Sequence, residues 1–159
     1  MCILKLDYIK NMWDEFSMES IKGTCRCGQL SYELNSPPVY AAYCHCTECR
    51  QRNSSPCTSF IMGLQDSLNV SGKSDEYSEA SGSGSTLDHY RCINCGTVVY
   101  MRINRLNNIV AIPSATLLDE KYFQPVEHLW IQSKVPWLEI KDGLPQRAGP
   151  PKFPAGFLA

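Results

Sequence analysis

Three features of the 159-residue sequence predict a mainly β domain. Apolar Leu30, Tyr32 and Leu34 alternate with polar neighbours, the period of two that buries one face of a strand. β-Branched and aromatic residues crowd into the run from Thr97 to Ile103. No stretch has the length and 3.6-residue period of a substantial amphipathic helix, and no repeat of about 20 to 50 residues is visible.

Taken in order, the residues before Ser20 mix Trp13 and Phe16 with charges, fitting a single helical turn or a loose extension. A strand follows Gly28 and stops at Pro37 and Pro38, where the backbone N–H needed for a ladder is missing. Ser59 to Leu64 reads as a second strand, and Leu68 to Val70 continues the sheet across a turn near Asp66. Ser71 to Ser85 is rich in Gly, Ser and charge and contains Ser-Gly-Ser-Gly-Ser, so an exposed loop is expected.

Cys92 and Cys95 bracket a tight turn closed by Gly96, ahead of the strand from Thr97 to Ile103. Ile109 to Ile112 is expected to pair with it antiparallel. Ala115 to Leu118 suits a helical turn, and Leu129 to Ile131 is a short apolar segment. The proline-rich tail after Gly143 is expected to be irregular and to lie on the surface. The reading divides the chain into an extension (1–19), one metal-binding domain (20–145) and a tail (146–159).

With 15 basic and 16 acidic side chains, no charge excess or basic stripe points to a nucleic acid. Charges interrupt the N-terminal apolar residues, and no run approaches transmembrane length, so a cytoplasmic protein without a membrane partner is expected. In a reducing compartment, clustered cysteines hold metal or do chemistry more often than they form disulfides.

Seven of the nine cysteines fall into three clusters: Cys25 and Cys27; Cys44, Cys46 and Cys49; Cys92 and Cys95. Structural zinc takes four thiolate or imidazole ligands, whereas a chemically active site keeps three and leaves one position open. Seven ligands divide into four plus three. Cys25, Cys27, Cys92 and Cys95, each at or near a turn, make a closed site that ties two strand ends together. Cys44, Cys46 and Cys49 lie close enough for one loop to wrap a second ion. His45, Cys57 and Cys2 are the residues able to close that second site. In an extended loop the His45 side chain points away from its neighbours' ligands, leaving it to form an ordinary hydrogen bond. A soft three-thiolate zinc favours another thiolate, so a small-molecule thiol is the expected substrate.

The motifs Gly23-Thr-Cys-Arg-Cys-Gly28, Cys44-His-Cys-Thr-Glu-Cys-Arg50 and Cys92-Ile-Asn-Cys-Gly96 stand in order. With His128 to Trp137 and Asp142 to Pro145, they resemble the glutathione-dependent formaldehyde-activating enzymes over roughly Ser20 to Pro145. The resemblance implies an antiparallel β-tent (Mss-four-like) fold pinned by two zinc ions, a structural one on Cys25, Cys27, Cys92 and Cys95 and a catalytic one on Cys44, Cys46 and Cys49. It also implies carbon–sulfur lyase-type activity forming S-(hydroxymethyl)glutathione from glutathione and formaldehyde. Arg91 stands where the family usually has an aromatic residue. Arg50 and Arg52 are candidates for pairing with glutathione carboxylates, since a guanidinium grips a carboxylate in a two-pronged fork. Trp130 and Trp137 could line a ligand groove, although large aromatics in a small β domain more often pack in the core. A thiol-adduct carrier and a zinc-stabilised interaction scaffold are the alternatives to an enzyme.

Overall fold

The computed structural model describes residues 19–81 and 84–153. The extension before Glu19, with Cys2, and the last six residues of the tail lie outside them. The fold is mainly β, as predicted. Strands β1 (Ile21–Thr24), β2 (Ser31–Leu34) and β5 (Leu68–Ser71) form a small sheet in the order β1-β2-β5. The remaining strands are β3 (Tyr40–Cys44), β4 (Thr58–Leu64), β6 (Ser74–Ala80), β7 (Thr86–Cys92), β8 (Val98–Ile103), β9 (Ile109–Pro113) and β10 (His128–Leu129). They form a seven-stranded sheet in the order β10-β3-β4-β9-β8-β7-β6. All pairs are antiparallel except β10 with β3.

The large sheet is covered on both faces, so its central strands are apolar at successive positions. Ala41, Ile61, Tyr100, Val110 and Ile112 join one core, with Leu30, Tyr32 and Leu34 of the small sheet. Their neighbours Ala42, Phe60, Met62, Met101 and Ala111 join a second core on the opposite face. Each such large side chain contributes about 1.5–3 kcal/mol by burial. Cys25 and Cys92 belong to the first core and Cys44 to the second, which separates the two cysteine sites across the sheet.

Several expectations are corrected. The stretch expected to be a loop from Ser71 to Ser85 contains β6, which pairs with β7 from Ser74 opposite Cys92 to Ala80 opposite Thr86. Its side chains bury little, so composition hid it; the edge strand is held by its ladder and by polar pairs such as Ser78 Oγ to Asp88 Oδ1 at 2.7 Å. The expected three-cysteine loop is half helix: α1 spans Thr47–Asn53 and contains Cys49. Strand β3 has no signature in the sequence, because burial on both faces erases its alternation. The tail is irregular, yet it is tied to β10 by His128 N–H to Pro145 O (2.8 Å) and Arg147 N–H to His128 O (2.8 Å).

Tyr32 shows how the small sheet is anchored. Its hydroxyl lies 3.0 Å from Thr116 Oγ1, and burial pushes its pKa from 10.0 up to about 12. Because the folded state favours the neutral phenol, this stabilisation is complete below pH 10 and is lost as pH rises towards 12. Tyr32→Phe is therefore expected to flatten the decline in unfolding free energy over that window by about 2–3 kcal/mol. Parallel pH profiles in denaturant titrations of the two proteins would disprove the assignment.

Candidate metal centres

At the first centre, the turn after β1 carries Cys25 and Cys27, Cys92 ends β7, and the turn from there to β8 carries Cys95. Gly28 (φ 78°) and Gly96 (φ 72°) take the left-handed conformation that each turn requires. Their amides close the turns on Cys25 O (3.0 Å) and Cys92 O (2.9 Å). The four sulfurs lie within 4.8 Å of one another. Cys25 and Cys27 are 3.5 Å apart, and Cys27 and Cys92 are 3.7 Å apart. A tetrahedral zinc with Zn–S bonds of about 2.3 Å needs sulfur–sulfur edges of about 3.8 Å, so this set fits one ion. The Leu30 amide donates to Cys25 Sγ at 3.3 Å. The Thr97 hydroxyl, 3.3 Å from Cys95 Sγ, and the Thr97 amide lower the Cys95 pKa to about 5. Thiolate is the form that a metal ligand requires.

The second centre lies at the junction of β3 and α1. Cys44 ends the strand, Cys46 caps the helix by accepting from the Cys49 amide at 3.3 Å, and Cys49 sits in the first turn. The three sulfurs lie within 4.8 Å of one another. Hydrogen bonds from Cys44 and Cys46, helped by the Arg52 guanidinium, hold the Cys49 thiol well below its ordinary pKa. The same sharing pushes the Cys44 thiol up. One thiolate is thus already favoured, and a cation bound here would displace the remaining protons.

Neither His45 nor Cys57 joins this cluster. His45 is fully buried and its Nε2 lies 2.9 Å from His128 Nδ1. His128 Nε2 in turn lies 2.8 Å from Asp142 Oδ2, and the His128 ring stacks on Tyr43 at 4.8 Å. His45 forms the ordinary hydrogen bond expected of it, within a chain that ties the cysteine segment through β10 to Asp142. Burial raises the Cys57 pKa.

Cys44, Cys46 and Cys49 line a cavity of about 160 Å³. The rest of its wall is chiefly apolar, with Phe60, Met62, Met101, Leu129 and Phe153 among the lining residues and Glu48, Arg52 and Arg105 among the charged ones. Arg52 forms an ion pair with Glu79 and points Nη1 at Cys49 Sγ from 3.8 Å. Glu79 is also 3.1 Å from His89 Nε2. Arg50 lies on α1 with Nη2 3.5 Å from Thr47 Oγ1 and does not line the cavity. Trp130 lines the cavity and packs against the second core, whereas Trp137 is 75% exposed and does neither. The cavity itself was beyond sequence reading, because β4, β8, β9, β10 and the tail each contribute to it.

All eight described cysteines are free thiols. No described helix is long and apolar enough to cross a membrane. Comparison with curated proteins returns no match. Among solved structures, the chain is similar to a crystal structure of a Rhodobacter sphaeroides protein, with 24% identity and a TM-score of 0.47. That likeness covers 61% of this chain and 87% of the other. The sequence profile described as "Glutathione-dependent formaldehyde-activating enzyme" matches residues 20–133. That span includes all seven clustered cysteines, and the chain belongs to the glutathione-dependent formaldehyde-activating enzyme family.

Proposed function

We propose that this chain is a zinc-dependent carbon–sulfur lyase-type enzyme of the cytoplasm that joins glutathione to formaldehyde as S-(hydroxymethyl)glutathione. The observation that carries this reading is a cluster of three thiols, joined by no fourth cysteine or histidine among the described residues, opening onto a cavity. In this reading Cys25, Cys27, Cys92 and Cys95 hold a structural zinc, and Cys44, Cys46 and Cys49 hold a catalytic one. Zinc on three thiolates supplies a Lewis-acidic position that keeps a substrate sulfur in its thiolate form at neutral pH.

The protein's residues do the rest by placement. Cys44, Cys46 and Cys49 set where the substrate sulfur sits, and the apolar wall from Phe60 to Leu129 limits water beside it. Arg52, on that wall, is the better placed of the two candidate carboxylate partners, in competition with Glu79. Arg50, on the same helix, is the second. The carbon–sulfur bond forms between thiolate and carbonyl carbon, the carbonyl π pair moves to oxygen, and that oxygen takes up the proton the thiol released.

Exchange NMR on glutathione and formaldehyde, with and without the zinc-loaded protein, tests the proposal. Adduct exchange at least tenfold above the protein-free rate is expected at micromolar protein. Equal rates would reject catalysis and leave a carrier or a scaffold.

A further inference from the structure

The cavity beside the three cysteines does not suit formaldehyde and glutathione alone. A cavity of about 160 Å³ with a chiefly apolar wall beyond its cysteines is the size that holds a benzene-sized molecule. A hydroxymethyl group would leave most of it empty. The γ-glutamyl and glycyl ends of glutathione carry charges, and the cations lining this wall are Arg52, already paired with Glu79, and Arg105, so burying either end against Phe60, Met62, Met101 and Leu129 would be costly. The cavity is also a built feature. Pro150, Pro151 and Phe153 of the tail form part of its wall, and the tail is held in place by Trp130 N–H to Gly149 O (3.1 Å) and Ile131 N–H to Arg147 O (3.0 Å).

We propose that the thiol–aldehyde adduct handled at Cys44, Cys46 and Cys49 carries an apolar chain or ring of about six carbons, seated in this cavity. This rests on the thiol–aldehyde addition of the proposed function and goes beyond it, since an apolar partner stands in for formaldehyde or for glutathione. The aldehyde or the thiol can bring the apolar group, and the chemistry recognised is the same. For an apolar aldehyde the bonds are those described above: sulfur adds to the carbonyl carbon, and the oxygen takes the proton released by the thiol.

Unreactive thioethers test the inference without turnover, so it can fail or succeed whether or not the protein accelerates adduct formation. Titration calorimetry on the zinc-loaded full chain would compare S-methylglutathione, S-hexylglutathione and hexyl methyl sulfide. Each buried methylene is worth about fourfold in affinity, so S-hexylglutathione is expected to bind about a hundredfold or more tighter than S-methylglutathione. Hexyl methyl sulfide binding as tightly as S-hexylglutathione would support the inference and assign the apolar group to the thiol. Weaker binding of the sulfide than of S-hexylglutathione would support it with the aldehyde as the source. Affinities of the two glutathione thioethers within threefold of each other would overturn it.

Location is read without a cavity variant, from methionine methyl NMR. Met62 and Met101 both line the cavity, and their signals are expected to shift saturably with the hexyl ligand and not with the methyl one. A hexyl ligand that binds tightly yet leaves both signals in place would place the chain elsewhere and also overturn the inference.

Discussion

Replacing Cys92 by serine is expected to unfold much of the domain at ordinary temperature. Cys92 is 2% exposed, belongs to the core shared by the two sheets and stands 3.7 Å from Cys27. Among the described residues, and apart from the isolated bridge between Gly23 and Leu117, strand β1 pairs with β2 alone, so the cysteine cross-link is a principal tie between the first turn and the far end of β7. Serine keeps the volume but supplies no thiolate. Binding of structural zinc by small domains is worth of the order of 10 kcal/mol, and in such a domain that binding is also folding free energy. Loss of even half of it would lower the melting midpoint by about 10–20 °C. Thermal unfolding followed by circular dichroism, alongside metal analysis, measures this. A Cys92→Ser protein that keeps its wild-type midpoint and two metals would show that the four-sulfur centre does not hold the fold.

The second large effect falls on activity. Cys46→Ser is expected to reduce bound zinc from two ions to one and to abolish the acceleration of adduct exchange, while leaving the fold largely intact. The choice of serine matters, because Cys46 also caps α1 through the Cys49 amide. A serine hydroxyl accepts the same hydrogen bond, whereas alanine would add about 1 kcal/mol of lost capping. Helix α1 buries no residue completely, so a disturbance there has little core to disrupt. The measurement joins metal content, melting midpoint and exchange rate on one sample. Retained acceleration with one zinc would exclude the three-cysteine centre as the place of reaction. Retention of two zincs would show that Cys46 is not a necessary ligand.

The two effects differ because the cysteine sets have different neighbours. The first set joins segments more than sixty residues apart, as in the Cys27–Cys92 approach. The second is local, spanning Cys44 to Cys49. Spacing groups the sulfurs as the structure does: two short pairs, each too small to saturate an ion, and one triplet able to gather by itself. Gly28 and Gly96 reinforced that reading, since both stand where the turns need positive φ.

Other elements were legible to the extent that they bury one kind of surface. β2 was visible as Leu30, Tyr32 and Leu34 because one side of it meets the core and the other does not. β8 and β9 were visible through their β-branched residues. β6 was invisible because both of its faces are polar, and an edge strand held by backbone pairing leaves no hydrophobic trace. α1 was missed because it is seven residues long, has no fully buried face and depends on a cysteine cap that looked only like a metal ligand.

By itself the sequence determined the mainly β class, the family, and the partition of seven cysteines into four and three. These depend on residue identity and short spacing, which carry chemistry whatever the tertiary context. Only the tertiary structure decided that Arg52 is held by Glu79, that His45 links through His128 to Asp142, and that the three thiols face an apolar cavity. Each of those relations joins residues dozens of positions apart or on different strands. The distance across a folded sheet is set by which face each strand turns inward, and that choice is made by the whole packed core at once.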